Sequence, residues 1–267
     1  MKMKLIRIVM LTTALMMVWG CSSNDDDPII PTPPADVPVN STLTPAEKPA
    51  GKVDLAGNDA PPTWEKPDPA KYESSMFVLV KLQDELVPYS TSSDLMSVFI
   101  GDECRSLPCG PDTLNEADIY FLLKVDGGNI DRDVFFELRY YCASLRQTFV
   151  LAGKETFAAE YDYGFMEEDF VPPLLKGCKK YPVQNDLMVS LPQEKPFTPS
   201  EDDLVAVFVG DECRGVGSIG KKFTVFRTSS TETLQLRYYS AQQEGVYTFT
   251  QSVEIPEKED GAVTLKF

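Results

Sequence analysis

The sequence predicts an all-β protein: two tandem Ig-like β-sandwich modules, spanning residues 64–175 and 176–267, that follow a disordered N-terminal tether. Three observations predict it. A long motif recurs at a fixed offset. The segments around the motif are short and rich in Val, Ile, Phe and Tyr. Prolines crowd the region before them.

The repeat carries most weight, because a copied segment is a copied folding unit. Leu95-Met-Ser-Val-Phe-Ile-Gly-Asp-Glu-Cys-Arg105 returns as Leu204-Val-Ala-Val-Phe-Val-Gly-Asp-Glu-Cys-Arg214, at an offset of 109. The same offset matches Tyr72 with Tyr181, Asp94 with Asp203, and residues 77–82 with 186–191. Farther on, Leu138-Arg-Tyr-Tyr141 returns as Leu236-Arg-Tyr-Tyr239 at offset 98, so the first copy holds 11 extra residues, assigned to about 107–117.

Strands are expected over 76–82, 96–100, 119–125, 134–142 and 148–152, and over 187–191, 204–209, 222–227, 233–239 and 246–253. Each is short and enriched in β-branched and aromatic residues. Alternation is clearest where Leu234, Leu236 and Tyr238 interleave with Gln235, Arg237 and Tyr239, as in a strand with one buried face. Several short strands at turn-rich spacing predict a sandwich. The hinge between modules falls at 171–180.

The chain begins with an address. Lys2, Lys4 and Arg7 precede an apolar run over 8–20, the plan of a secretory signal and shorter than a membrane span. It ends Val18-Trp19-Gly20-Cys21, which resembles a lipobox, implying removal of residues 1–20 and lipid attachment at Cys21. Asp25, Asp26 and Asp27 follow closely and resemble the surface-export signal of Bacteroidota lipoproteins. Lipid on one cysteine would anchor the protein in the outer membrane, exposed at the cell surface. Residues 21–63, with eight prolines between 28 and 61, read as an extended tether, since such a composition buries too little apolar surface to order itself.

Composition narrows the function. Loss of residues 1–20 takes the net charge from −16 to −19, which repels phosphate backbones and argues against a nucleic-acid partner. There is no histidine, so Ser-His-Asp and Cys-His nucleophile systems and the common zinc sites are excluded. A carboxylate glycosidase is a remote alternative, because acidic pairs arise by chance in such a chain and the motif stands in both copies. No catalytic residue is assigned, and the chain is read as a non-enzyme.

Trp64, Pro67, Tyr72, Ser75 and Met76, followed by Asp94, Val98, Phe99, Ile100 and the Gly-Asp-Glu-Cys-Arg run ending at Arg105, look like a repeated β-sandwich module of Bacteroidota secreted and surface proteins. In that module a Phe-Val-x-x-Glu-Cys-Arg-Gly-like hairpin precedes an Ile-Thr-Phe-x-x-Tyr-like strand. The second copy keeps glycine after the arginine (Gly215) where the first has Ser106. The resemblance covers residues 64–267 and implies export and interaction, with no ligand specified.

Candidate sites follow from residue type. Tyr141 and Tyr239, beside Arg139 and Arg237 on the polar side of their strand, form a possible sugar or peptide platform. Asp102, Glu103, Asp211 and Glu212, with Asp94, Asp202 and Asp203 near, offer oxygen ligands for Ca²⁺, although a plain hairpin with Glu and Arg in water and Cys inward explains the motif as well. No other cofactor is expected. With Cys21 lipidated, Cys104, Cys109, Cys142, Cys178 and Cys213 remain; Cys104 and Cys142 are a candidate disulfide, the alternative being buried thiols. Asp112-Thr113-Leu114 resembles the short O-glycosylation acceptor of Bacteroidota exported proteins, with Thr113 as the acceptor. Trp64 is expected to staple the end of the tether to the first module. The expected function is glycan or nutrient capture at the cell surface, the alternative a structural adhesin or protein-docking subunit.

Overall fold

A computed structural model of the chain describes residues 40–46, 51–65, 67–113, 118–165, 168–256 and 260–267. The signal segment and Cys21 lie outside the described residues. Strands β1 (Ser41–Pro45), β2 (Ser74–Lys81), β3 (Leu95–Ile100), β4 (Glu103–Cys104), β5 (Asp112–Thr113), β6 (Ile119–Gly127), β7 (Phe135–Cys142), β8 (Gln147–Thr156) and β9 (Asp162–Tyr163) come first. They are followed by β10 (Val183–Ser190), β11 (Leu204–Val209), β12 (Glu212–Gly217), β13 (Lys222–Arg227), β14 (Leu234–Ser240), β15 (Gly245–Val253) and β16 (Gly261–Thr264). The fold is all-β; among the described residues the only helical elements are short 3-10 turns.

The strands form four sheets, ordered β5-β6-β2-β9, β4-β3-β7-β8, β13-β10-β16 and β1-β15-β14-β11-β12. The first two share a core. Met76, Val78 and Val80 of β2 and Phe121, Leu123 and Val125 of β6 meet Met96, Val98, Leu138 and Tyr140 of the other sheet. Each set occupies alternate positions of its strand, the two-residue period of a sheet with one buried face. The other two sheets enclose Leu187, Val189, Val205, Val207, Leu236, Tyr238 and Tyr247. Every strand expected from alternation is present, with ends displaced by up to four residues.

A buried carboxylate ties strand ends together in each half. Asp94 accepts from the Tyr140 hydroxyl at 2.7 Å, the Ala143 amide at 2.9 Å and the Thr91 hydroxyl at 3.0 Å. Asp203 does the same for Tyr238, for the Ala241 amide at 2.8 Å and for the Ser200 amide at 2.9 Å. Both carboxylates are buried, and each ties the turn before one strand to the tyrosine and the turn of another. Desolvation, with the hydrogen bond to the carboxylate adding to it, pushes both phenols far above the ordinary tyrosine range, so they stay neutral donors.

Two expectations need correcting. Residues 40–46 and 51–63 are not a disordered tether. Ser41–Pro45 pairs antiparallel with β15 as the edge strand of its sheet, Leu55 is buried in the first core, and Gly57 and Asp59 donate their amides to Leu145 and Arg146. Composition reports how little this segment buries with itself, not what another surface offers it. Cys104 and Cys142 are not bridged; all five described cysteines are free thiols. Cys104 stands opposite Phe99, on the sheet face away from the core that holds Cys142. The Gly101–Asp102 turn returns the chain so that Cys104 shares the outward side of Phe99.

Replacing Asp94 or Asp203 by alanine leaves several buried donors unpaired. Each is expected to cost about 3 kcal/mol in urea denaturation, with asparagine costing less; a loss below about 0.5 kcal/mol would show that these carboxylates do not hold the turns.

Candidate functional site

The site starts from a turn. Gly101 and Gly210 take left-handed backbone (φ +61° and +60°), with open space where a Cβ would stand. Glycine adopts that conformation without steric cost, and it reverses the chain in two residues. Ile100 then pairs with Glu103 and Phe99 with Cys104; in the second half Val209 pairs with Glu212 and Phe208 with Cys213. Phe99 and Phe208 therefore point outward from sheets whose alternate residues fill the cores.

These outward phenylalanines are covered. The Arg139 guanidinium lies 3.7 Å from the centroid of Phe99 and the Arg237 guanidinium 3.8 Å from that of Phe208, stacked cations on an aromatic face. Arg139 also donates from Nε to Glu137 Oε1 at 2.6 Å. The remaining cover comes from the strap at 51–65. Val53 packs on the patch formed by Ala206, Phe208 and Cys213, and Trp64 meets Phe99 edge-on, with ring centroids 5.8 Å apart. The strap is anchored between these points. Thr148 donates its amide to Asp59 at 2.7 Å, and Lys180 donates to the Asp54 carboxylate at 2.9 Å, which draws the Asp54 carboxyl below its ordinary range.

Trp64, half-buried, separates two open clefts. One, of about 750 Å³, has Lys71, Phe99, Asp102 and Glu103 in its walls; the other, of about 490 Å³, has Asp59, Glu137, Arg139 and Lys179. Each combines the indole with carboxylates and a cation, the donors, acceptors and apolar face that polar ligands such as sugars require. In the second half Arg237 and Tyr239 line a smaller cleft of about 280 Å³ with Thr44, Val246 and Thr248.

Arg105 and Arg214 depart from the expected hairpin. Rather than facing water they are 6% and 4% exposed. Arg105 grips Asp131 through two nitrogens, at 2.8 and 3.1 Å, and covers the Tyr72 ring. Arg214 pairs with Glu232 at 3.0 Å and covers Tyr181. Tyr72 donates to Glu103 at 2.6 Å, and the Tyr181 hydroxyl lies 2.7 Å from Glu212. Desolvation, then the hydrogen bond to glutamate, pushes both phenols up to about 12. The matching offset of Tyr72 and Arg105 with Tyr181 and Arg214 was the sequence signal for this pairing.

The expected site residues divide. Arg139 reaches a cleft beside Trp64, and Arg237 and Tyr239 share one. Tyr141 is only 3% exposed and is no platform, because alternation sets the side of the sheet a residue takes and not what lies over it. Thr113 is exposed on β5, accessible for modification. Asp94 and Asp203 are taken up by tyrosine and backbone donors, so they are not open as Ca²⁺ ligands. Among the described residues no group of three or more Cys, Asp or Glu is placed to hold a metal ion. Glu137, Asp59 and Lys179, which with Trp64 complete the clefts, carry no motif, and Trp64 enters only as a staple and as part of the module resemblance.

No protein-family model and no curated protein matches the chain. Among solved structures, a leucine-rich repeat protein from Bacteroides thetaiotaomicron is similar at 9% identity over 72% of this chain and 25% of its own, with a TM-score of 0.23. At that level the likeness carries no argument.

The phenols of Tyr72 and Tyr181 have raised folded-state pKa values. The stability they contribute is full below pH 10, the ordinary tyrosine value, and is lost as pH rises from 10 toward 12. Denaturation midpoints are expected to hold through pH 9 and fall above 10, with tyrosinate absorbance lagging in the folded protein. Tyrosines all ionising near pH 10 while the fold persists would contradict the arrangement.

Proposed function

We propose that this chain is a non-enzymatic, lipid-anchored cell-surface protein that captures glycans, with the two clefts beside Trp64 as its binding site. The observation that carries the reading is the setting of Trp64. A half-buried indole set edge-on against Phe99 stands at the end of the anchored strap, with Arg139 and Glu137 on one side and Lys71 and Asp102 on the other. A fixed aromatic face flanked by charged hydrogen-bonding groups suits a sugar ring, because little ordering is required when the ligand arrives. The lipobox-like Val18-Trp19-Gly20-Cys21 supports outer-membrane attachment.

The reading includes two copies of one Ig-like module. It is supported by equivalent residues making equivalent contacts: Asp94 with Tyr140 and Asp203 with Tyr238, Arg105 over Tyr72 and Arg214 over Tyr181, Arg139 over Phe99 and Arg237 over Phe208. The copies have diverged at the site, since a tryptophan stands over the first phenylalanine and a valine over the second.

A second reading, a protein-docking subunit, is favoured by one observation. The outer face of the β2–β6 pair exposes Phe77 (39%) and Leu122 (52%), where an offset of 109 puts Asp186 in the place of Phe77 in the second half. Apolar side chains on one copy and a carboxylate on the other suit a surface that meets a partner.

Glycan-array screening followed by calorimetry tests the first reading. A bound glycan is expected whose affinity falls at least tenfold in Trp64→Ala and in Arg139→Ala, with folding kept. Absence of any retained glycan, or wild-type affinity in Trp64→Ala, would overturn it. In the latter case Phe77→Glu with Leu122→Glu, abolishing co-purification of a protein partner, would support the docking subunit.

A further inference from the structure

Strand β1 covers the edge of β15 in an unusual way. Its five residues pair in unbroken register, Ser41 with Phe249 through Pro45 with Gly245, and the ladder continues at both ends through Asn40 with Thr250 and Ala46 with Glu244. Yet Thr42, Leu43, Thr44 and Pro45 all expose their side chains. The strand is held by backbone hydrogen bonds, which any copy of the same segment would make equally well.

The equivalent edge in the first half is closed differently. At offset 98, Phe149 on β8 corresponds to Tyr247 on β15. Phe149 is bridged by Cys178, in a segment whose Leu174, Leu175 and Cys178 are all buried in the first core. One edge is sealed by buried side chains, the other by an exposed strand. Without β1, β15 would be an open edge, a template for another strand.

The connection to β1 is short. Gly51 rests against Cys213, Ala206 and Val216, on strands β11 and β12. Strand β11 lies three strands from β1, about 14 Å at ordinary strand spacing. The six residues from Pro45 to Gly51, with Pro49 among them, reach about 20 Å at full extension. A connection this short makes a hinge of the kind at which exchange between copies competes with local closure.

We propose that the β15 edge is a docking site for the Ser41–Pro45 segment of a second copy of this chain, so that two copies join by exchanging their first strands. The contacts of β1 are the same in the exchanged pair. The net charge of each copy, −16 for the whole chain and −19 without residues 1–20, opposes association at low salt, so the exchanged fraction rises with ionic strength. This inference is independent of the glycan site.

Thr42 and Thr248 stand directly opposite each other across the β1–β15 pair, one exposed and one half-buried. Directly paired residues have Cα atoms about 5 Å apart, close enough for a disulfide. Chains carrying Thr42→Cys are mixed with chains carrying Thr248→Cys, refolded together at high concentration and oxidised; the 42–248 disulfide is identified by peptide mass. The expected result is a covalent dimer carrying that link, increasing with salt and concentration. A parallel sample carries Thr42→Cys and Thr248→Cys in one chain; the proposal is overturned if the link forms only inside single chains of that double variant, or forms in neither sample while Trp64 fluorescence reports a folded protein.

Discussion

Phe99 and Phe208 lie on the outer faces of their sheets, and most of what is distinctive in this protein follows from covering them. A sandwich needs one apolar face per sheet, and these sheets carry an apolar spot on the second face as well. The Gly-Asp turn adds a cysteine to each spot by folding the next strand back on the same side. Left bare, Phe99 with Cys104, and Phe208 with Ala206 and Cys213, would be two exposed apolar patches. An arginine across each ring and a shared strap over both remove them from water.

The strap consequently has a structural and a chemical consequence. Residues 51–65 run from the second half to the first, burying Leu55 in the first core and bonding Asp54 to Lys180 between them. One continuous segment thus contacts equivalent surfaces in both halves. The same segment brings Trp64 and Asp59 to the walls of the clefts beside Arg139. The segment that joins the two halves therefore also supplies walls of the clefts.

Much of the fold was legible in the sequence because alternation and β-propensity are local. Leu234, Leu236 and Tyr238 are buried, while Gln235, Arg237 and Tyr239 remain at least partly open to solvent. The repeat aligns Asp94 with Asp203 and Tyr72 with Tyr181, and each of these pairs makes matching bonds. What could not be read depends on distant partners. Strand β1 is five residues of Ser, Thr, Leu and Pro without a buried face, and its stability comes from an edge more than 200 residues away in sequence. Tyr141 follows the same alternation as Arg139 and yet is buried. Arg105 and Arg214 look like surface charges in a turn-rich segment, but their acidic partners Asp131 and Glu232 are separated from them by different numbers of residues in the two halves, so no fixed spacing announces the pairs. Spacing arguments reach local structure; ion pairs that close a sandwich are set by topology.

The cover over both phenylalanines requires residues 40–46 and 51–65 to be part of the folded body. Native-state hydrogen exchange on the amides of Ala46, Gly57, Asp59 and Thr148 tests this most directly, since each donates to a partner that exists only if the segment is docked: Glu244, Leu145, Arg146 and the Asp59 carboxylate. Strong protection is expected at all four, with Gly57, Asp59 and Thr148 approaching the core strands. Exchange of the Gly57, Asp59 and Thr148 amides at the rate of an unfolded chain would contradict it.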